Sequence, residues 1–376
     1  MKNLKINEIE NLHIAGRTAG ANEKGELALF WAGSALEVNV KTSEVWIEVE
    51  SDFSSSEVWL CIFVNGRKIS RFMAPKGKSK FCILRALNPS KENLISIMRD
   101  TQPMSGDVNQ ILKITSLEVS DETKFLPVPE KDLKIEFIGD SITSGEGLYG
   151  GPWEQDWISQ WISVSENYAV KTGCALNADF NILSQCGWGV VCGWDNNVTS
   201  VMPPVYDKVC GLQNGECQKN LGSQETWDFS KFQPDFVVVN LGTNDSGAFN
   251  QPAWKDPVTG TEYKMHLDEN GKPVPEDGNK IAKGVTDFLK AIRKNNPQAK
   301  ILWVWGMIDM PDVGVYVKQG IDSFISETGD KKTSAMILPS MSLEKTDEEK
   351  GSRGHPGPLT HRLASEKIIE YIKNNR

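Results

Sequence analysis

Three short segments of this 376-residue chain place a chemically useful group at the end of an apolar run. The first is Phe137-Ile138-Gly139-Asp140-Ser141. A serine just past a buried strand stands at the open edge of a sheet, and the glycine before it permits a tight turn. A serine hydroxyl is a weak nucleophile and needs a base to take its proton. The second segment is Cys186-Gly187-Trp188-Gly189, where Gly187 offers a backbone N–H with no side chain in the way. The third is Asn240-Leu241-Gly242-Thr243-Asn244-Asp245, which brings a side-chain amide to the same edge. A neutral N–H donor suits a site where negative charge develops on a carbonyl oxygen, because preset donors stabilise that oxygen in the transition state.

The base has to come from His13, His266, His355 or His361. His13 lies in the strand-rich first third, and His266 lies in a charged stretch, Met265-His266-Leu267-Asp268-Glu269-Asn270-Gly271. His355 follows the last apolar strand and precedes the last helical pattern, so its loop returns to the sheet edge of Ser141, and Pro356 sets its exit. Taken alone, Gly-Asp-Ser is usually a turn or a helix cap and His-Pro usually structural. Their order at successive strand ends is what points to acyl transfer.

The elements that must position these groups can be read from periodicity. Leu36, Val38 and Val40 alternate with polar residues, as do Val45, Ile47 and Val49, which is the mark of half-buried strands. Residues 58–64, 81–86, 94–98 and 111–119 add short strands, and Asn65-Gly66 is a preferred hairpin turn. Such regular short strands predict an all-β sandwich over 1–128, closed by a linker around Leu126-Pro127-Val128-Pro129. From 129 to 376 the pattern changes to near-continuous apolar strands at 135–138, 180–184, 235–241, 300–305 and 334–338. Helical patterns lie between them, the best being Ile281, Val285, Phe288, Leu289 and Ile292. This is an α/β arrangement with a parallel sheet covered on both faces, and its chemistry belongs at the carboxyl ends of the strands.

Composition narrows the partners. A net charge of −9 argues against nucleic acid and anionic membranes, both of which need a basic footprint. No apolar run of ~18 residues suggests a membrane span, and charges interrupt the N-terminus before any signal-peptide core can form, so a cytoplasmic address is expected. The seven cysteines are odd in number and contain no Cys-x-x-Cys pair, and no His-Glu-x-x-His occurs, so no metal is expected. Cys210 and Cys217 could bridge in an oxidising compartment; reduced thiols fit a cytosolic protein better. Gly145-Glu146-Gly147-Leu148-Tyr149-Gly150 fits the letters of a dinucleotide fingerprint, but begins too late after the strand and runs into Gly151-Pro152, so no nucleotide cofactor is expected. Of twelve tryptophans, Trp153, Trp157, Trp161, Trp188 and Trp194 follow the first two motifs, and Trp188 and Trp194 are the best candidates for stacking on substrate. Trp157 and Trp161, four apart, also suit the packed face of a helix.

Together, the Gly139-Asp140-Ser141, Gly187, Gly242-Thr243-Asn244-Asp245 and His355 blocks resemble the SGNH (GDSL-like) hydrolases, named for Ser, Gly, Asn and His in four blocks. With the β-rich segment in front, the chain further resembles the acetyl esterases of carbohydrate esterase family 2, whose His-Pro and second histidine six residues on match His355, Pro356 and His361. The resemblance implies a flavodoxin-like hydrolase domain behind a jelly-roll or sandwich domain. It implies removal of acetyl groups from carbohydrate hydroxyls, with Ser141 as nucleophile, His355 as general base, and the N–H groups of Ser141 and Gly187 plus the Asn244 amide as oxyanion hole. The implied partner is an acetylated oligosaccharide or another small ester. One departure stands out: the aspartate usual two or three residues before the histidine is replaced by Arg353 and Ser352. Either a backbone carbonyl holds the imidazole, or an acid comes from elsewhere. A binding protein without turnover, and a lipase or thioesterase for longer acyl chains, are the competing readings.

Overall fold

The computed structural model describes residues 1–342, 346 and 348–376. Five parallel strands form the central sheet: β1 (Leu133–Gly139), β2 (Ala178–Ser184), β3 (Phe236–Asn240), β4 (Lys300–Trp305) and β5 (Thr333–Ile337), in the order β2-β1-β3-β4-β5. This is the flavodoxin-like order, and its direction reverses beside β1, where a crevice opens at the strand ends. Successive residues of a strand face opposite sides, and β3 shows the consequence. Val237 and Val239 join one apolar cluster with Ile281, Val285 and Ile321, whereas Phe236 and Val238 join another with Ala364, Ile368 and Ile372. Helices α4 (Pro275–Asn295) and α5 (Pro311–Thr328) therefore cover one face, and α2 (Tyr168–Ala175) and α6 (Pro358–Asn374) the other. Two very short helices start at the crevice: α1 (Ser141–Ser144) after β1 and α3 (Thr243–Ala248) after β3.

The N-terminal region forms two antiparallel sheets that share one apolar cluster, with Leu36, Val38 and Val40 from one and Val45, Ile47, Leu112 and Ile114 from the other. The Asn65-Gly66 turn joins Val58–Val64 to Arg67–Ala74, with φ of 50° and 77° as such a hairpin needs. The segment read as a linker is partly structured: Lys124–Leu126 pairs antiparallel with Ala35–Lys41, and the Pro127 carbonyl accepts from Asn39.

The two regions are not joined by that segment alone. Phe30 and Trp31 belong to the cluster under α4 and α5, while Ala35, Cys61 and Met98 belong to the cluster under α2 and α6. Arg17, wholly buried, donates to the Glu136 carboxylate of β1 at 2.9 Å and to the Lys208 carbonyl at 3.2 Å. Removing one partner of such a buried pair strands the other charge, at a cost of ~3–5 kcal/mol. Among the described residues, no helix is long and apolar enough to cross a membrane.

Candidate active site

Ser141 opens α1, and Asp140 caps that helix by accepting from the Ile142 N–H at 3.0 Å. Gly139 before them ends β1 rather than turning the chain. A Cβ there would lie 2.0 Å from the Thr143 hydroxyl, so close packing and not a special backbone angle requires glycine. The Ser141 Oγ lies 2.9 Å from His355 Nε2, although 214 residues separate them in the chain. The other ring nitrogen, His355 Nδ1, is 3.2 Å from the Arg353 carbonyl oxygen. A carbonyl can only accept, so this contact puts the proton on Nδ1 and leaves Nε2 free to accept from serine. Of the two ways of orienting the imidazole that the sequence leaves open, the structure thus shows the backbone carbonyl.

A carboxylate is nevertheless present, on the other side of the ring. Glu146 Oε2 lies 3.6 Å from His355 Nε2, and its Oε1 accepts from Arg353 Nε at 3.3 Å. Arg353 has a left-handed backbone, φ 56°, unusual for a side chain of this size. Its N–H donates to the Glu154 carbonyl at 3.0 Å and its guanidinium to the Gln155 carbonyl at 2.9 Å, contacts that hold the turn in place. The glycine-rich Gly145–Gly150 segment forms the seat of this loop. Ser352 N–H donates to the Gly147 carbonyl at 3.1 Å, and a Cβ on Gly147 would meet the Ser352 carbonyl at 2.8 Å and His355 Cβ at 3.0 Å.

The remaining histidines are occupied elsewhere. His13 lies 3.2 Å from Asp179, and His266 pairs with Asp277 at 2.9 Å. His361, six residues beyond His355, is wholly buried in α6. Its Nδ1 accepts from the Tyr168 N–H at 3.1 Å, and burial pushes its pKa down to about 3, so it stays neutral.

On the opposite side of Ser141, Asn244 donates from Nδ2 to the Trp188 carbonyl at 2.8 Å and to Asp140 Oδ2 at 3.3 Å. Asp245, to which the sequence assigns no role, is fully buried and accepts from the N–H groups of Val190, Val191 and Cys192 at 2.8–3.3 Å. Burial pushes the Asp245 carboxyl up in pKa against the pull of those N–H groups. Burial likewise pushes Asp140 up to about 7, with Asp245 and Glu146 adding repulsion.

Ser141, Glu146, Gly187, Asn244 and His355 line a cleft of about 490 Å³. Trp157 and Trp194 stand on its rim, both more than two-fifths exposed. Trp157 lies outside any regular helix, which removes the helix-face reading of Trp157 and Trp161. Trp188 is not part of the lining: its ring is buried in the core with Val190, Met202 and Leu241, and only its carbonyl serves the site. A larger groove of about 780 Å³ lies at the amino ends of the strands, beside Lys134, Asp179 and Trp227, and holds no serine–histidine pair.

No described Cys pair is bridged: Cys210 is buried, and Cys217 donates from Sγ to the Val108 carbonyl.

Comparison with known proteins agrees with this geometry. The family model for GDSL-like lipase/acylhydrolase matches residues 135–368. The chain is similar to a solved acetyl xylan esterase, Est2A, from the rumen bacterium Butyrivibrio proteoclasticus, at 39% identity and a TM-score of 0.94, over 100% of this chain and 99% of that one. It is similar to cellulase/esterase CelE of Acetivibrio thermocellus at 26% identity over 92% of this chain, and spans 37% of that protein's length. A family two carbohydrate esterase from Clostridium thermocellum, solved with cellohexaose, shares the fold at 22% identity and a TM-score of 0.77, covering 97% of this chain and 98% of that one.

Proposed function

Because the chain belongs to the GDSL-like lipase/acylhydrolase family, we propose that it is a serine esterase that removes acetyl groups from carbohydrate hydroxyls through an acyl-enzyme. The observation that carries this reading is the 2.9 Å contact between Ser141 Oγ and His355 Nε2, with the Arg353 carbonyl at Nδ1. Acetyl and sugar specificity draw support from the 39%-identical acetyl xylan esterase and from the two rim tryptophans, whose faces suit the apolar side of a sugar ring.

In the first half of the reaction, His355 Nε2 takes the Ser141 proton as the serine oxygen bonds to the acetyl carbonyl carbon, and the carbonyl oxygen becomes an oxyanion. The N–H groups of Ser141 and Gly187 and the Asn244 amide meet that charge. Asn244 gives up the longer of its two bonds, to Asp140, to do so. His355 passes its proton to the departing sugar oxygen, leaving an acetyl-serine. Water repeats the sequence and releases acetate. The carbonyl of Arg353 stabilises the ring with Nδ1 protonated, and Glu146 adds a negative charge 3.6 Å from Nε2, which favours the transient imidazolium.

Turnover of 4-nitrophenyl acetate and of acetylated oligosaccharide tests the proposal, with a loss of at least ~10³ in Ser141→Ala. Buffer-level turnover alongside oligosaccharide binding would replace it with a binding protein. Faster cleavage of octanoyl than acetyl esters would replace it with a lipase or thioesterase. A cytoplasmic address, with short imported oligosaccharides as substrate, belongs to the same proposal, and activity recovered from culture supernatant would refute it.

A further inference from the structure

We propose that Gln102, contributed by the N-terminal region, is a positioning residue for the oxyanion site: its side-chain carbonyl pins the Cys186 N–H and so aims the neighbouring Gly187 N–H into the cleft. The inference rests on the esterase reading above. It starts from a run of four polar residues, Arg99, Asp100, Thr101 and Gln102, each with 0% of its surface exposed. Four successive buried polar residues are costly unless every group is satisfied. Here the Arg99 guanidinium donates to the carbonyls of Leu29, Thr101 and Gln102 at 2.9–3.1 Å and to Gln110 Oε1 at 2.7 Å. Asp100 accepts from the Ser163 hydroxyl and the Ser165 N–H, both at 2.9 Å, and pairs with Arg71. The backbone that carries Gln102 is therefore clamped to both regions of the molecule.

From that base, Gln102 Oε1 accepts from the Cys186 N–H at 2.8 Å, across 84 residues of chain. The other end of the amide donates to the Met104 sulfur, at 3.5 Å, a weak acceptor. The strong bond of this side chain is thus the one to Cys186.

What that bond accomplishes follows from the peptide planes around it. The Gln185–Cys186 peptide is tied at both ends: its N–H goes to Gln102, and its carbonyl accepts from the Trp188 N–H at 3.3 Å. The Gly187–Trp188 peptide is tied too: its N–H is the one just named, and its carbonyl accepts from the Trp194 N–H at 3.0 Å. Between them lies the Cys186–Gly187 peptide, whose N–H has no partner among the described residues. With both neighbouring planes fixed and Gly187 at φ 79°, this N–H has one orientation and remains free for a ligand. Of the ties on these two planes, the one to Gln102 comes from outside the loop. Gln102 is not part of the cleft lining, so it acts through Gly187 and not by touching substrate.

The test uses the full chain and the near-isosteric Gln102→Met, which removes the acceptor and keeps the volume. Steady-state turnover of 4-nitrophenyl acetate is measured beside inhibition by phenylboronic acid. Its boron takes the Ser141 oxygen as a fourth ligand, the serine proton passes to His355, and a boron-bound oxygen occupies the oxyanion position. Misaiming one donor should lower kcat by ~10–100-fold with KM within about twofold. The inhibition constant of the boronate should rise by a similar factor. A role in stability alone would lower the melting temperature and leave kcat and boronate affinity of the folded protein unchanged, which overturns the proposal. So does a kcat loss without a loss of boronate affinity. If Gln102→Met fails to fold, Gln102→Asn, whose acceptor is one methylene too short, takes its place with the same two measurements, and the same outcomes support or overturn the proposal. Wild-type protein that turns over no ester removes the esterase reading and this one with it, whereas active wild type with an unaffected variant removes this one alone.

Discussion

The two loops that flank Ser141 are held in different ways. The histidine loop around Ser352–His355 is supported from within the parallel-sheet region: Gly147 and Glu154 bind its backbone, and Glu146 and Gln155 take the Arg353 guanidinium. The loop from Cys186 to Trp194 is pinned at its start by Gln102 of the N-terminal region and further on by Asp245. The base side of the site is therefore self-contained, while the oxyanion side depends on a partner region far away in the chain. The Gly187 N–H, aimed at a charge that exists only transiently, has no ground-state partner among the described residues, so its neighbours must hold it. The base, by contrast, already has both ring nitrogens engaged in the resting protein.

The largest effect that bears on this contrast is expected on the oxyanion side. Asn244→Ala should cut kcat for acetyl esters by ~10²–10³ while KM moves little. A variant within a few-fold of wild type would mean that the backbone donors suffice, and the asymmetry between the loops would lose its meaning. On the base side, Glu146→Gln removes the charge beside His355 Nε2 and loosens Arg353, yet keeps the Arg353 carbonyl on Nδ1. A loss of roughly tenfold in kcat is expected, because the ring would carry its transient positive charge with no carboxylate beside it and on a less firmly held loop. A loss as large as that of Asn244→Ala would show that the carbonyl alone does not orient the ring.

The smallest effect is a pH dependence. Asp140 touches both sides, as cap of α1 and acceptor from Asn244, and burial raises its carboxyl from 3.8 to about 7. The folded state thus holds this proton more tightly than the unfolded chain. Its contribution to stability is complete below about pH 4 and is lost as pH rises through about 7. Asp140→Asn abolishes that slope, so the melting temperature of the variant relative to wild type should climb by roughly 2–4 °C between pH 4 and pH 8. A constant difference across that range would place the titration elsewhere.

Much of the scaffold is legible in the chain itself. Ile111–Val119 and Lys300–Trp305 match the ranges read from periodicity, and the Asn65-Gly66 turn lies where its residues demand. Arg67–Ala74 gives no such signal, because Ala74 alone among its residues is buried and it shows no clean apolar alternation. Lys124–Leu126 reads as linker because three residues next to two prolines carry almost no strand signal. Among the site residues, Ser141, His355, Gly187 and Asn244 are of types that advertise chemistry at strand ends. Gln102, Glu146 and Asp245 are of types usually found on surfaces, and their role depends on burial, which no local pattern encodes. Trp188 and Trp194 look alike in sequence, yet one ring goes to the core and the other to the rim.

Side-chain alternation and chain order are local properties, and they suffice to say which strands exist, where each ends and which reactive groups those ends carry. Which serine would meet the imidazole, which carboxylate would stand beside it and which N–H would be left without a partner depended on contacts between segments 84 to 214 residues apart. A hydrogen bond is directional over a few tenths of an ångström, so such choices are made only when the packed regions bring those segments together.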